Sequence, residues 1–581
     1  MKFWKFAALL LIAVQLCLGQ NIPDLPNYPQ SPLTDLELDS LSKDNSKSAW
    51  ENLASKSKEK ALEKAANQAY PEAASWIYTS IAAKFFAEYG EEIPPELKKL
   101  MLKNLPAFFD FCESWREEDN LSGAAVVLKN IYAAYPAQTE QFLRMAMAIS
   151  LIYDISPPPN WPECNMPSNP APMTHPQDLF YYFVENAKIM NFPMQKLTVS
   201  ELIFTGGIAG PIDELRSLLK PNLTPYMIEK LTQSLKTDYS RIERNGRDAT
   251  YAEWDVSVRP FTLENIRKYG GTPPEKVYYA WRVANANGIP CIYFSDKHDS
   301  KVSNWLAYMS KLGVWKFDVC RSQNAVNLYG RPLNPQTWKP LEMFDIEYLC
   351  RRPHVTENGM EARVFLQISN ALFEGGKYEN AAVFADKSKK SDPEYWKAYK
   401  AYIAARARFG AASGELDALW RKSYESFRRY PEMCMNMLEG YRRNLALRRM
   451  QKEADRLLIA EMRTVMRNDP GLAVEMYSQR IRELMSTKTD IAEIFSAYKD
   501  ILRNSSGNED GCFSKIVRPM AESFAESGDY KNAIKTLNMF APQVKNAPPS
   551  VAKELEQLKK KYTKDQNSKT TYEDEDVLES E

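Results

Sequence analysis

The 581 residues of the chain are enough for about two to four domains of ordinary size. Hydrophobic residues make up 44% of the chain and aromatic residues 12%, which excludes a wholly disordered protein. Lysine and arginine together number 75, as do aspartate and glutamate, so the chain lacks the basic excess typical of proteins that bind nucleic acid.

The first segment, residues 1–19, has the pattern of a secretory signal peptide. Lys2 and Lys5 precede an apolar run from Ala7 to Leu18, and the small residue Gly19 follows it. This run is shorter than the roughly 20 residues that a membrane-spanning helix needs, and no later segment reaches that length. We therefore expect export to a periplasm or to the cell surface, with no transmembrane segment after cleavage.

Three segments separate the signal peptide from the middle of the chain. Residues 20–46 are rich in proline and are predicted to form an extended linker. Residues 47–155 carry apolar side chains at helical spacing and are predicted to form a helical N-terminal region. Residues 156–249 begin with a second proline cluster, and helices are predicted further on at 177–190, 211–220 and 225–236.

Residues 250–350 differ from their surroundings because they combine a helix with short strands. The helix is predicted from Pro274 to Asn287, since Val277, Trp281 and Ala284 fall on one face. The β-rich runs lie at 251–258, 290–294, 304–309 and 314–319. A helix beside a short antiparallel sheet predicts a small α+β domain.

Helical patterns return in residues 356–562, which contain a weak internal repeat. The string Gly376-Lys-Tyr-Glu-Asn-Ala381 recurs as Gly528-Asp-Tyr-Lys-Asn-Ala533, each time between helical stretches. This region resembles tetratricopeptide-like helical hairpins stacked in an array, and a plain helical bundle is the alternative. Residues 563–581 are predicted to be an acidic, disordered tail. The expected fold class is thus mostly α with a small α+β domain.

The middle of the chain also carries an ordered series of short motifs. They are Tyr269-Gly270-Gly271 before a helix, Tyr278-Tyr279-Ala280, Gly288-Ile289-Pro290, Trp305 with Tyr308, Trp315-Lys-Phe-Asp318 and Asn334-Pro-Gln-Thr-Trp338. In this order they resemble the transglutaminase-like domain of a group of secreted bacterial proteins, which belongs to the papain-like superfamily.

The resemblance implies an acyl-transfer site that this sequence has lost. In such a domain, a cysteine at the start of a helix is the nucleophile, and a histidine and an aspartate on the following strands complete the triad. Here Pro273 stands where the cysteine is expected and Ser303 where the histidine is expected, so that only Asp318 remains. We therefore expect a non-catalytic protein without a cofactor or a metal ion, whose partner is an unknown protein or a component of the cell envelope.

Two other interpretations of the function stay open. Cys320 and His298 could supply a relocated nucleophile and base, which would make the protein an active cysteine-type hydrolase or acyltransferase. The protein could instead be a purely structural component of the envelope.

Four aromatic residues of the middle region are candidate binding residues. If the former catalytic cleft is open, stacking on these rings would hold a peptide or a glycan, and packing in the core is the alternative. The four residues are Tyr278, Tyr279, Trp305 and Trp315.

Overall fold

The computed structural model of the protein describes residues 25–156, 174–207, 210–245, 248–252, 254–298, 301–319, 332, 334–339, 341, 343–428, 430–468, 470–486, 490–504 and 509–578. Contacts within the chain divide it into two compact units, Met1–Leu416 and Asp417–Glu581. The chain is mostly helical with a small three-stranded antiparallel sheet, as the sequence predicts.

The N-terminal unit contains most of the helices and all of the described strands. Its helices are α1 (Asp35–Lys43), α2 (Lys47–Ala66), α3 (Tyr70–Tyr89), α4 (Pro95–Lys103), α5 (Leu105–Glu113), α6 (Leu121–Ala134), α7 (Pro136–Gln141), α8 (Leu143–Ile152), α9 (Pro176–Glu185), α10 (Val199–Gly206), α11 (Ile212–Leu218), α12 (Pro225–Ser234), α13 (Leu263–Tyr269), α14 (Pro273–Ala286), α15 (Met343–Arg351), α16 (Glu357–Glu374), α17 (Tyr378–Ser391), α18 (Trp396–Phe409) and α19 (Ser413–Ser426). The last of these crosses the boundary between the units. The strands are β1 (Ile242–Asn245), β2 (Asp248–Tyr251), β3 (Cys291–His298), β4 (Lys301–Lys311) and β5 (Val314–Val319).

Helix α1 lies inside the segment that the sequence predicts as an extended linker. Its N-cap Thr34 and the carboxylate of Glu37 form a capping box, with 2.8 Å between the Thr34 amide nitrogen and Glu37 Oε2. Leu38 is 2% exposed, and the helix packs against α4. A local cap and one buried leucine therefore order part of this proline-rich stretch.

The helical N-terminal region packs around a cluster of aromatic side chains. The hairpin of α2 and α3 closes with a hydrogen bond of 2.7 Å from Ser80 Oγ to the carbonyl of Ala54. Edge-to-face contacts link Trp50 with Phe86 and Phe85 with Phe111, at centroid distances of 5.1 and 6.1 Å. These rings are core residues, which matches the helical pattern of the sequence.

The sheet of the middle region is a simple antiparallel meander in the order β3-β4-β5. Register pairs join Cys291 with Tyr308 and Phe294 with Trp305, and α14 packs against both β3 and β4. The predicted helix and the last three predicted β-rich runs agree closely with α14, β3, β4 and β5.

The predicted β-rich run at 251–258 is wrong over most of its length. Strand β2 ends at Tyr251, and residues 256–258 form a turn. The Asp255 carboxylate accepts hydrogen bonds from the amide and the hydroxyl of Ser257, at 2.9 and 2.5 Å. Such an Asx turn competes with strand pairing, so the alternating pattern does not extend the strand.

A large hydrophobic core of described residues runs from Leu38 to Ala405, through the segments that the sequence treats as separate regions. Buried ion pairs cross the same segments: Arg352 Nε lies 3.0 Å from Glu201 Oε1, and Arg363 Nε lies 3.2 Å from Glu113 Oε2. The helices that begin the predicted repeat region are therefore part of the N-terminal unit.

The C-terminal unit is formed by helices that follow one another with short connections. They are α20 (Pro431–Leu447), α21 (Gln451–Asn468), α22 (Pro470–Ser486), α23 (Ile491–Asn504), α24 (Glu509–Cys512), a π-helical turn (Phe513–Val517), α25 (Arg518–Glu526), α26 (Tyr530–Phe540) and α27 (Pro549–Leu578). Their buried side chains form a second core that includes Tyr498, Phe513 and Phe540. Helix α27 continues to Leu578, into the stretch predicted as a disordered tail.

In the described part of the chain, one kind of turn ends a helix six times. Four of these turns lie in the N-terminal unit, at Gln68, Gly288, Gly376 and Gly410, and two lie in the C-terminal unit, at Arg449 and Gly528. At all six positions the backbone is left-handed, with φ between +59° and +96°. At Gly376 the amide of Lys377 donates to the carbonyl of Leu372 (2.9 Å), and the amide of Gly376 donates to that of Phe373 (3.0 Å). The other five turns repeat both bonds, which define a Schellman motif. The repeated turn strings of the sequence thus mark turns of identical hydrogen bonding.

Candidate functional site

The candidate site is the N-terminus of α14, where the resemblance expects a nucleophile. A tight turn at Gly270-Gly271 precedes it, and Gly271 forms a parallel bridge with Thr237. Gly270 has φ of +94°, and a Cβ atom there would lie 2.7 Å from the carbonyl oxygen of Lys236. Only glycine therefore allows residues 236–238 to lie so close to the start of the helix.

The first helical residues leave no reactive side chain at this end. Thr272 is the N-cap, and Pro273 and Pro274 occupy the first two helical positions, where a missing amide proton costs little. Pro273 has no nucleophilic atom, and Thr272 is completely buried. The first polar side chain within the helix itself is that of Glu275.

Glu275 closes the helix N-terminus and forms a buried ion pair. Its Oε2 accepts a hydrogen bond of 2.8 Å from the Thr272 amide, while Arg241 Nη1 donates to Oε1 over 2.7 Å and Arg241 Nη2 donates to Oε2. The Glu275 side chain is 0% exposed. A carboxylate at this position also interacts favourably with the positive end of the helix dipole.

Arg241 also contacts a second carboxylate and an aromatic ring. Its Nε donates to Asp238 Oδ2 over 3.0 Å, and its guanidinium lies 4.8 Å from the ring centroid of Trp254. Burial by itself would lower the pKa of Arg241, but hydrogen bonds and charge from Glu275 and Asp238 raise that pKa above its usual range. The start of α14 is therefore a hydrogen-bonded cluster in which one guanidinium pairs with two carboxylates.

The other two triad positions lie on the sheet that packs against α14. Ser303 is in β4, in register with Asp296 of β3, and its side chain is outside the described residues. Asp318 is the next-to-last residue of β5, is exposed, and has a left-handed backbone with φ of +56°.

The alternative pair of Cys320 and His298 lies almost wholly outside the described residues. Cys320 is not among them, and of His298 only the backbone is described, in register with Lys301. Cys291, the described cysteine nearest to the site in sequence, is 2% exposed on β3. The described cysteines form no disulfide with one another.

The four candidate binding aromatics are all buried. Tyr278, Tyr279, Trp305 and Trp315 are each no more than 3% exposed. Trp305 stacks on Phe294 with ring centroids 5.4 Å apart. In this structure the rings pack in the core, which is the alternative that the sequence left open, and they present almost no surface to a ligand.

Sequence reasoning missed the polar residues that surround these rings. Asn304, beside the histidine position, is buried and donates to the hydroxyl of Tyr293 over 2.5 Å. Arg282 is completely buried in α14, with its Nη2 3.6 Å from Glu214 Oε2. Nothing in the apolar pattern of α14 marks Arg282 as buried, whereas Thr272 and Glu275 have the spacing of a capping box and could have been recognised.

A second group of interest is a pair of acidic residues in the helical region. The Asp154 carboxylate accepts from the amide of Asn120 over 2.7 Å, and the Asp119 carboxylate accepts from Gln336 Nε2 over 2.8 Å. Burial is the main cause that raises the pKa of Asp154 to about 7 and that of Asp119 to about 6. Within the described residues, no group of three or more His, Cys, Asp or Glu side chains could hold a metal ion.

Comparison with known proteins gives the chain no family. Neither the models of known protein families nor the curated proteins contain a match to it. In the part of the chain that the structure describes, every helix is too short or too polar to cross a membrane.

Proposed function

We propose that this is an exported, non-catalytic protein with a transglutaminase-like middle region, which binds a protein or peptide partner in the periplasm or at the cell surface. The observation that carries the proposal is the closed N-terminus of α14. Pro273 occupies the nucleophile position, and the carboxylate of Glu275, paired with Arg241, caps the helix.

The closed helix end opposes cysteine chemistry for an electrostatic reason. A catalytic thiolate at a helix N-terminus is stabilised by the helix dipole and by unpaired amide groups. Here a buried carboxylate already accepts the hydrogen bond of the Thr272 amide, so a second negative charge beside it would be repelled. Replacing Pro273 with cysteine alone would therefore not create an activated thiolate.

The helical hairpins support a binding role rather than a catalytic one. The Schellman turns at Gly376 and Gly410 each join consecutive helices in the N-terminal unit, and those at Arg449 and Gly528 do so in the C-terminal unit. Stacked hairpins of this kind offer extended surfaces for peptides. We accordingly propose that residues 356–562 form tetratricopeptide-like helical hairpins.

The test is an activity measurement on the purified chain without its signal peptide. Hydrolysis of amide and ester substrates and acyl transfer to a primary amine should stay at the rate of buffer alone, while a papain-family protease serves as the positive control. A thiol-reactive probe should label Cys291 only after unfolding, since this residue is 2% exposed.

One result would replace the proposal with the relocated-nucleophile alternative. That result is turnover by the native chain that is lost on Cys320→Ser or His298→Gln. Turnover lost on neither change but abolished by another single substitution in residues 250–350 would equally contradict a non-catalytic function.

A further inference from the structure

A compact group of cations and rings lies next to the closed helix end. The Arg259 guanidinium is 4.2 Å from the ring centroid of Tyr269 and 5.9 Å from that of Trp254. Lys268 Nζ lies 5.2 Å from the Tyr269 ring. We include the exposed Val258, which precedes Arg259 in the chain, and call this group the cation–aromatic patch: Trp254, Val258, Arg259, Lys268 and Tyr269.

The patch presents both positive charge and apolar surface to solvent. Tyr269 is 42% exposed and Val258 is 67% exposed, while Lys268 is exposed and Arg259 is half-buried. Among the described residues, neither Arg259 nor Lys268 has a carboxylate within ion-pair distance, and the same holds for the exposed Arg267. Arg241, by contrast, is neutralised by Glu275 and Asp238.

Local hydrogen bonds hold the patch in shape before any partner arrives. Trp254 Nε1 donates to the carbonyl of Arg259 over 2.9 Å, which fixes the loop across the indole ring. The Asp255 carboxylate accepts hydrogen bonds from the amide and the hydroxyl of Ser257. It therefore stabilises the turn and does not pair with Arg259. A preorganised arginine between two rings loses little conformational entropy on binding an anion.

We infer that the cation–aromatic patch binds an acidic peptide segment that also carries apolar side chains. Carboxylates would pair with Arg259 and Lys268, and an apolar side chain would cover Val258 and the exposed part of Tyr269. A partner that carries charge alone would leave that apolar surface in water, which favours a peptide over other anions. The inference rests on the proposed binding function and names the surface and the chemistry of the partner.

The test measures fluorescence polarisation of a short labelled peptide of glutamates with two leucines, titrated with the full chain. Two matched peptides replace every glutamate with glutamine, or both leucines with serine. We expect binding of the acidic peptide that weakens about tenfold on Arg259→Gln, a further loss with Lys268→Gln, and a steep decline with added salt. Both matched peptides should bind more weakly than the first.

A second cation–π pair in the same unit supplies the control. Lys230 Nζ lies 4.8 Å from the ring of the exposed Tyr226, so Lys230→Gln removes a comparable charge and should leave the affinity unchanged. Circular dichroism and thermal melting show that each variant folds. The inference is overturned if the wild-type chain does not bind, if Lys230→Gln weakens binding as much as Arg259→Gln, or if the serine peptide or a sulfated polysaccharide binds equally well.

These outcomes are independent of the activity assay. If the chain is inactive toward acyl substrates but does not bind the acidic peptide, the proposed function stands and this inference is wrong. If the chain turns over an acyl substrate, the proposed function is wrong, whatever the fluorescence polarisation measurement shows.

Discussion

The most consequential single contact in the middle region is the pair between Glu275 and Arg241. Both side chains are largely removed from water, and the bidentate geometry satisfies the carboxylate completely. Removing one partner of such a pair leaves a buried charge that has neither water nor a counterion. The same pair joins residues 238–241 to the start of α14, so it fixes the position of that helix.

Glu275→Gln should therefore destabilise the protein by about 3 kcal/mol, measured by denaturant unfolding. The double variant Glu275→Gln with Arg241→Met should recover part of this loss, because no charge is then left unpaired. Glu59→Gln, on an exposed position of α2, is the control and should change stability by less than about 0.5 kcal/mol. A loss at Glu275 no larger than that at Glu59 would show that the pair does not hold the helix.

A second residue-scale prediction concerns Asp154. Its pKa of about 7 lies above the value for an unfolded chain, so the folded protein binds the proton more tightly. Burial of this carboxyl consequently does not lower the free energy of unfolding near pH 4, where it is protonated. The free energy of unfolding falls as the pH rises toward 7, because the buried group must then ionise. Asp154→Asn should stabilise the protein by about 1–2 kcal/mol at pH 8 and have almost no effect at pH 4.

Thermal unfolding of this variant and the wild type across that pH range checks the prediction. Asp213→Asn, at a side chain that is 87% exposed, is the control and should change stability by less than about 0.5 kcal/mol at pH 8. A variant that is less stable than the wild type at pH 8 would contradict the assigned direction of the Asp154 pKa.

At the scale of single elements, a substitution in a Schellman turn can test backbone strain without a change in packing. At Gly376, φ is +72° and no atom lies within 4 Å of the position that a Cβ atom would occupy, so alanine there meets strain without a clash. Gly376→Ala should cost about 1 kcal/mol. Gly414, in α19, also has open space around it but ordinary helical φ, and Gly414→Ala should be neutral or stabilising. Denaturant melts of the two variants compare them directly, and equal effects would contradict the role of the left-handed turn.

Arg449 offers the opposite test in the C-terminal unit. It is exposed, it has φ of +60°, and it makes the two Schellman bonds that glycine makes elsewhere. Arg449→Gly should therefore stabilise this unit by about 0.5–1 kcal/mol, seen as a higher midpoint in thermal unfolding. Arg449→Ala keeps the strain and should bring no such gain.

The elements also show what a sequence pattern can and cannot predict. The sequence predicts helix α14 to within one residue at each end, because its apolar period is regular and two prolines and an Asn-Gly pair bound it. It does not predict helix α1, since a single buried residue, Leu38, orders that helix against α4 and prolines dominate the surrounding composition. The burial of Arg282 escapes prediction for a related reason: its partner Glu214 is far away in sequence.

At the scale of the whole molecule, the small α+β region is not bounded where the sequence bounds it. The C-terminal end of α14 forms hydrogen bonds with segments that precede residue 250. Asn285 Nδ2 donates to the carbonyl of Phe204 over 2.7 Å, and the hydroxyl of Tyr182 donates to the carbonyl of Ala286 over 2.6 Å. Helices α10, α11 and α12 all pack against α14. Sequence patterns report the period of each element but not which neighbours bury it, so these boundaries could not be predicted.

The shared core predicts how fragments of the chain behave. A fragment of residues 250–350 keeps α14 and the sheet but loses Arg241, Glu214 and the helices that cover α14, which leaves Glu275 and Arg282 without their partners. It should show no cooperative thermal transition by circular dichroism. A fragment of residues 25–426 retains the core from Leu38 to Ala405 and should unfold in one transition. Cooperative unfolding of the shorter fragment would mean that the α+β region has its own core. It would also mean that the pairs of Glu275 with Arg241 and of Arg282 with Glu214 contribute little to its stability.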